Sequence, residues 1–221
     1  MTRTRLKVCC IASADEARLA IDAGTDALGL VSAMPSGPGV VEEATIAAVA
    51  ATVPPPIATF LLTSRVDAAG ITAQLDRTGA STVQLVDAVA SSELVALRAE
   101  RPAVRVVQVI HVLDAASADE ARAALPYVHA LLLDSGNPRL AVKELGGTGR
   151  VHDWALSRRI RDEADSAGVP VFLAGGLRAD NVGAAVRAVR PFGVDVCSGV
   201  RTDGRLDPAK LGAFAAALAS A

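Results

Sequence analysis

The chain has 221 residues, 51% of them hydrophobic and 21% charged, with a formal net charge of −2. That balance supports one buried core of domain size and excludes a disordered chain. No segment concentrates Lys or Arg, aromatic residues are only 3%, and no apolar run reaches the ~18 residues of a membrane span, so neither a nucleic-acid partner nor a membrane is expected.

The N-terminal Met1-Thr2-Arg3-Thr4-Arg5 leads into a strand-like run, residues 6–11, and not into the apolar core of a signal peptide. Ser13 then offers a helix N-cap with Asp15 and Glu16 in the first turn, and Gly24 stops the helix. Residues 27–31 read as a second buried strand, followed by a Pro/Gly loop to Val41 and a helix over 42–52. Pro54-Pro55-Pro56 is a rigid helix-to-strand turn, not a linker. Further strands are predicted at 57–62, 82–85, 105–109, 130–134, 171–174 and 194–197. Helices fall between them at 68–78, 91–100, 117–124, 153–167 and 181–189, and a last one starts near Pro208.

Eight strand–helix units in a chain slightly under the typical ~250 residues predict an α/β fold, a (β/α)8 TIM barrel forming a single domain over residues 1–221. A doubly wound open sheet can be built from the same units. Its dinucleotide fingerprint would follow the first strand, where Cys10-Ile11-Ala12 stands instead. In a barrel, chemistry sits on the loops after the strands, and two of these are long: 32–41 and 135–152.

Gly175-Gly176 follow the seventh strand and Ser198-Gly199 the eighth, where barrels hold phosphate on backbone amides. Either pair alone also reads as an ordinary tight turn. Gly147 and Thr148, ending the second long loop, are candidates for the same phosphate. Strand alternation puts Lys7, Cys9 and Ile11 on one face and Val8 and Cys10 on the other. Cys9 therefore faces the barrel and Cys10 the helical layer. Asp134 closes the sixth strand after three leucines, and a carboxylate there is costly unless paired or used. Asp195 reads as a second sugar-facing carboxylate or as the partner of a buried Lys7. A thiol and a carboxylate across an anchored phosphosugar suit proton transfer. Three cysteines, two of them adjacent, give no disulfide framework, so a reduced cytoplasmic protein is expected.

Along its whole length the chain resembles the phosphoribosylanthranilate isomerase family of the tryptophan pathway. The resemblance rests on Lys7-Val8-Cys9, Ala23-Gly24-Thr25-Asp26-Ala27-Leu28-Gly29, Val83-Gln84-Leu85, Leu132-Leu133-Asp134-Ser135 and Gly146-Gly147-Thr148-Gly149. It is most specific in Leu173-Ala174-Gly175-Gly176-Leu177 and in Val189-Arg190-Pro191-Phe192-Gly193-Val194-Asp195-Val196, followed by Ser198-Gly199-Val200. The family resemblance implies an aldose–ketose isomerase that performs an Amadori rearrangement on a phosphosugar with no cofactor and no metal. It also implies Cys9 as general base and Asp134 as general acid. Lys7, Gln84, Asp195 and His152 are the candidates for the sugar and aglycone.

Three positions depart from the family pattern. Gly39 stands where the family arginine meets the anthranilate carboxylate, Val86 where it has a histidine, and Gln108 where it has a lysine. Either another cation substitutes (His152, Arg139, Lys143 or Arg150, with His111 also near the mouth), or the substrate carries no carboxylate there. His129, ahead of the sixth strand, reads as a surface residue. The open alternatives are a paralogue with the same chemistry on a different aglycone, and a non-catalytic sugar-phosphate-binding barrel. On the aglycone reading, activity on phosphoribosylanthranilate is expected to be weak, and Gly39→Arg to improve it unless Gly37-Pro38-Gly39 holds a positive φ.

Overall fold

Strand runs rich in Val and Leu pair side by side and close on themselves. The computed structural model describes residues 3–137, 140 and 152–221. Its strands are β1 (Arg5–Val8), β2 (Ala27–Val31), β3 (Ala58–Thr63), β4 (Thr82–Leu85), β5 (Arg105–His111), β6 (Ala130–Asp134), β7 (Val171–Leu173) and β8 (Gly193–Val196). They form one closed parallel barrel in chain order, β8 pairing with β1. The helices between them are α1 (Ala14–Asp22), α2 (Glu43–Thr52), α3 (Ala68–Thr78), α4 (Ser91–Glu100), α5 (Ala116–Ala124), α6 (Trp154–Ser166), α7 (Val182–Val189) and α8 (Pro208–Ala219). This is the predicted (β/α)8 barrel, and the open sheet is excluded. Among the described residues, no helix is long and apolar enough to cross a membrane.

The helix starts follow from local chemistry. Ser13 accepts from the Glu16 amide, Asp153 from Ala155 and Leu156, and Asp207 from Ala209 and Lys210 with Pro208 at the first helical position. Period-two alternation then sorts the strand side chains into two layers. Leu131 and Leu133 of β6 and Val194 and Val196 of β8 join the outer core beneath the helices. Ala27, Val31, Phe60, Leu62, Val107, Val109, Ala130, Leu132 and Phe172 fill the barrel interior. The interior set is smaller in volume, as eight converging strands require.

A partly buried ionic cluster ties the end of β1 to the chain after β8. Arg201 Nη2 donates to the carbonyls of Cys9 (3.2 Å) and Cys10 (2.5 Å) and to Glu16 Oε2 (3.1 Å). The Glu16 carboxylate also accepts from the amides of Ala12 (3.0 Å) and Leu206 (2.9 Å). Burial alone would raise the Glu16 carboxyl; the Arg201 guanidinium and these two amides outweigh it and hold it below its ordinary value. Stability from this depressed carboxyl is present above its ordinary 4.5 and is lost as pH falls through the lower folded-state value. Arg201→Met should cost about 3 kcal/mol, the low end for breaking a buried pair because Glu16 keeps some solvent. Denaturant unfolding at pH 7 and pH 4 checks it: the difference between variant and parent should shrink at the lower pH.

Candidate active site

Cys9 and Asp134 reach one pocket because each continues the inward face of its strand. Asp134 follows Ala130 and Leu132 on β6, and Cys9 follows Lys7 on β1. Gly29 on β2 makes the room: a Cβ there would stand 2.7 Å from Cys9 Sγ and 3.0 Å from Lys7 Nζ. The pocket is lined by Cys9, Asp134, Gln84, Asp195, the Gly175-Gly176 turn and Ser198. Gln84 points a buried Oε1 there with no hydrogen-bond partner among the described residues, which marks it as an acceptor awaiting a ligand donor.

Burial pushes the Asp134 carboxyl up, and the charge of Asp195 adds to that. The Ser135 amide, His111 and Lys7 only partly oppose it. Asp134 therefore holds its proton to higher pH than an ordinary carboxyl. Of the two roles expected for Asp195, the structure shows the pairing with Lys7. It lies 2.9 Å from Lys7 Nζ and also forms part of the pocket wall. Lys7, fully buried, packs its ammonium 5.3 Å from the Phe60 ring centre, beneath the pocket. Burial disfavours its charge, but Asp195 and the neighbouring thiols outweigh that and keep it a cation.

The expected alternation fails one residue past Cys9. β1 ends at Val8, and Cys10 takes a φ of 65°. That left-handed turn swings its thiol into the pocket and sends Ile11 into the outer core. Cys10 thus does not face the helical layer, and Ile11 does not share the face of Cys9. Cys10 Sγ donates to the Pro38 carbonyl at 3.6 Å, linking the end of β1 to the loop after β2.

The loops after β7 and β8 meet at the pocket rim. Gly175 and Gly176 have φ of 83° and 61°, and among the described residues their amides meet no backbone acceptor. A Cβ on Gly199 would collide with the Leu177 carbonyl, so the two loops touch only because that residue is glycine. Arg178 is a basic residue in the first of these loops, but its guanidinium pairs with Asp180 at 3.3 Å. Among the described residues, Gly175, Gly176, Leu177 and Ser198 line the pocket at this rim, and no Lys or Arg does. Gly147 and Thr148 lie outside the described residues.

The aglycone end departs from expectation in two respects. His152 does not supply the missing cation: burial lowers it to about 4, so it is neutral at pH 7, and neither ring nitrogen has a partner among the described residues. Arg139, Lys143 and Arg150 lie outside the described residues. Gly39 has a φ of 76°, and a Cβ on it would collide with the Cys10 Cβ. The loop can accept no side chain there. His111 ends β5 in register with Asp134, and its Nε2 donates to the Val86 carbonyl at 3.0 Å. Its Nδ1 has no partner among the described residues. His129, at the opposite end of the barrel wall, accepts from the Val106 amide through Nδ1.

Sequence reasoning missed Arg201, Cys197 and the inward turn of Cys10. The Ser13-to-Glu16 spacing was a visible signal for a capping carboxylate; nothing local marked Arg201, whose partners lie about 190 residues away.

The family model described as PRAI, N-(5'phosphoribosyl)anthranilate (PRA) isomerase, matches residues 6–217. An N-(5'-phosphoribosyl)anthranilate isomerase of Halorubrum lacusprofundi is 40% identical over 215 residues, covering 96% of this chain and 95% of the relative. The solved isomerase of Pyrococcus furiosus superposes with a TM-score of 0.81 at 23% identity, over 99% of this chain and 100% of that one. A further phosphoribosyl anthranilate isomerase structure is similar in fold (TM-score 0.78, 24% identity, 99% and 100% covered). It holds reduced 1-(o-carboxyphenylamino)-1-deoxyribulose 5-phosphate.

Two substitutions test the loops. Gly39→Arg should lower stability by about 1–3 kcal/mol through its φ and its collision with Cys10, and should not improve turnover. Thermal unfolding and a steady-state assay on the same preparation measure both. Gly199→Ala should force the β7 and β8 loops apart and weaken inorganic phosphate binding at least about tenfold, read by calorimetry.

Proposed function

Because the chain belongs to the N-(5'-phosphoribosyl)anthranilate isomerase family, we propose that it isomerises phosphoribosylanthranilate by an Amadori rearrangement in which Asp134 is the general acid and Cys9 the general base. The observation that carries this reading is a thiol and a proton-retaining carboxyl in one pocket whose rim is built of glycine turns. The substrate phosphate sits on the amides of Gly175, Gly176, Ser198 and Gly199, with the ribose reaching down between β1 and β6. Asp134 donates its proton to the furanose ring oxygen, the C1–O bond opens, and the nitrogen lone pair forms the iminium. Cys9, as thiolate, removes the C2 proton, which the cationic nitrogen has made acidic. The resulting enolamine tautomerises to the aminoketose. Lys7 acts beneath the pocket as the counter-ion of Asp195.

Gln84 offers its free Oε1 to a substrate donor. The aglycone end, around Met34, Ser36, Gly37 and Pro38, brings no Lys or Arg to the pocket among the described residues. Losing a charge-assisted contact to a carboxylate is worth about 1.5–3 kcal/mol. The reaction then keeps its kcat while KM rises by about tenfold or more over relatives that carry the arginine. Three free thiols fit a reducing, cytoplasmic setting.

Turnover of phosphoribosylanthranilate by the purified chain, followed by loss of substrate fluorescence, tests the proposal; complete inactivity with an intact fold would overturn it. Cys9→Ser and Asp134→Asn should each cut kcat by at least about 100-fold. The acid form of Asp134 is the active one, so rate falls on the alkaline side as pH rises through its raised pKa. In Asp134→Asn that alkaline limb should vanish from what activity remains.

A further inference from the structure

The helical layer is open between α4 and α5. α3 packs on α4 and α5 on α6, whereas α4 and α5 scarcely meet, and the 3-10 turn Leu125–Tyr127 touches both. The cleft left between them has a volume of about 620 Å³, within the ~300–1,000 Å³ of small-molecule sites. It shares no lining residue with the pocket of Cys9 and Asp134. Its walls are apolar: Val89 and Leu94 stand on one side and Ala123 and Ala124 of α5 on the other, with Ile110 of β5 in the floor. The two alanines are too short to close the gap.

Gln108 is the polar feature of that floor. It alternates with Ile110 on the outward face of β5, opposite Val107 and Val109, which fill the barrel interior. Its Nε2 donates to the carbonyls of Leu85 (3.2 Å), Asp87 (2.9 Å) and Val109 (3.1 Å), which fixes the orientation of the amide. Its Oε1 accepts from no described residue and is not sealed from solvent. In a residue only 4% exposed that lines the cleft, the cleft is the space this oxygen meets. A hydrogen-bond acceptor held by three bonds on its own amide and lacking a donor is completed by a ligand N–H or O–H.

The surroundings narrow the ligand. Among the described residues, no Lys or Arg lines the cleft, while Asp87 and Glu120 do, which disfavours an anion. A cation would lose its hydration against an apolar floor that offers it one neutral oxygen. Leu94, Ile110 and Gln108 are 2%, 4% and 4% exposed, too deep for the face of another protein to reach. We propose that the cleft between α4 and α5 is a second ligand site, taking a neutral, flat apolar molecule of one or two rings that donates a single N–H or O–H to Gln108 Oε1.

Indole is the probe, a two-ring molecule with one N–H, and 1-methylindole is its counterpart with that donor blocked. Each is titrated into the isotope-labelled chain and followed by backbone amide shifts. This reads binding alone, so its outcome is independent of the isomerase reading. Indole should bind with a Kd of about 1 mM or tighter, moving the amides of Val89, Leu94, Gln108 and Ala124. 1-Methylindole should bind at least about tenfold more weakly. Ala123 is exposed, so Ala123→Phe should fill the cleft without entering the core and weaken indole binding by at least as much. Equal affinity for the two indoles, shifts confined to the pocket of Cys9 and Asp134, or no indole binding at about 10 mM would overturn the proposal. So would a dimer that Ala123→Phe converts to monomer, since a second copy would then cover the cleft.

Discussion

The pairing of β1 with β8 is the constraint on which the rest of the molecule depends. Until that seam closes, Cys9 and Asp195 belong to opposite ends of the sequence and the interior of the sheet is open to water. Once it closes, the register Lys7↔Asp195 brings a buried cation to its carboxylate, and Val8↔Val196 puts Cys9 beside the start of the β8 loop. Arg201 locks the seam from outside by holding the carbonyls of Cys9 and Cys10 together with Glu16. One closure therefore brings together the proposed base, the charge balance and half of the proposed phosphate rim.

Inside that closure the electrostatics are sparse. Two carboxylates, Asp134 and Asp195, share a pocket with one ammonium beneath it. Since Lys7 pairs directly with Asp195, Asp134 is left as the carboxyl whose pKa burial raises. The difference between two similar groups follows from position: one has a cation at 2.9 Å, while the other is raised first by burial and then by the charge of Asp195. No cationic side chain is needed at the rim, because glycine turns present amides to an anion without one.

The same economy narrows what the aglycone end can become. Gly39 sits against Cys10 with no space for a side chain, and Cys10 sits where it does because its own backbone turns left-handed. The two residues are a coupled pair, so an arginine cannot be returned to position 39 without also changing position 10. His152, half-buried and neutral at pH 7, does not compensate. Among the described residues, the lining at this end, Met34, Ser36, Gly37 and Pro38, carries no charged side chain.

The strands and helices were legible in the sequence because each is decided locally. Ser13, Asp153 and Asp207 announce their helices, and the limits of β4, β6, α3 and α4 fall where periodicity puts them. The inward placement of Asp134 and Cys9 follows from alternation within one strand, and the family motifs carried the proposed chemistry. Alternation failed at Cys10, since a backbone that turns left-handed after four strand residues leaves no mark in a period of two. The charge state of His152, the exclusion of a side chain at Gly39, and the grip of Arg201 on β1 were equally hidden. Each depends on atoms that the chain brings together only after about 30 to 190 intervening residues have folded, and burial, collision and charge pairing at such range are properties of the closed barrel, not of any local segment.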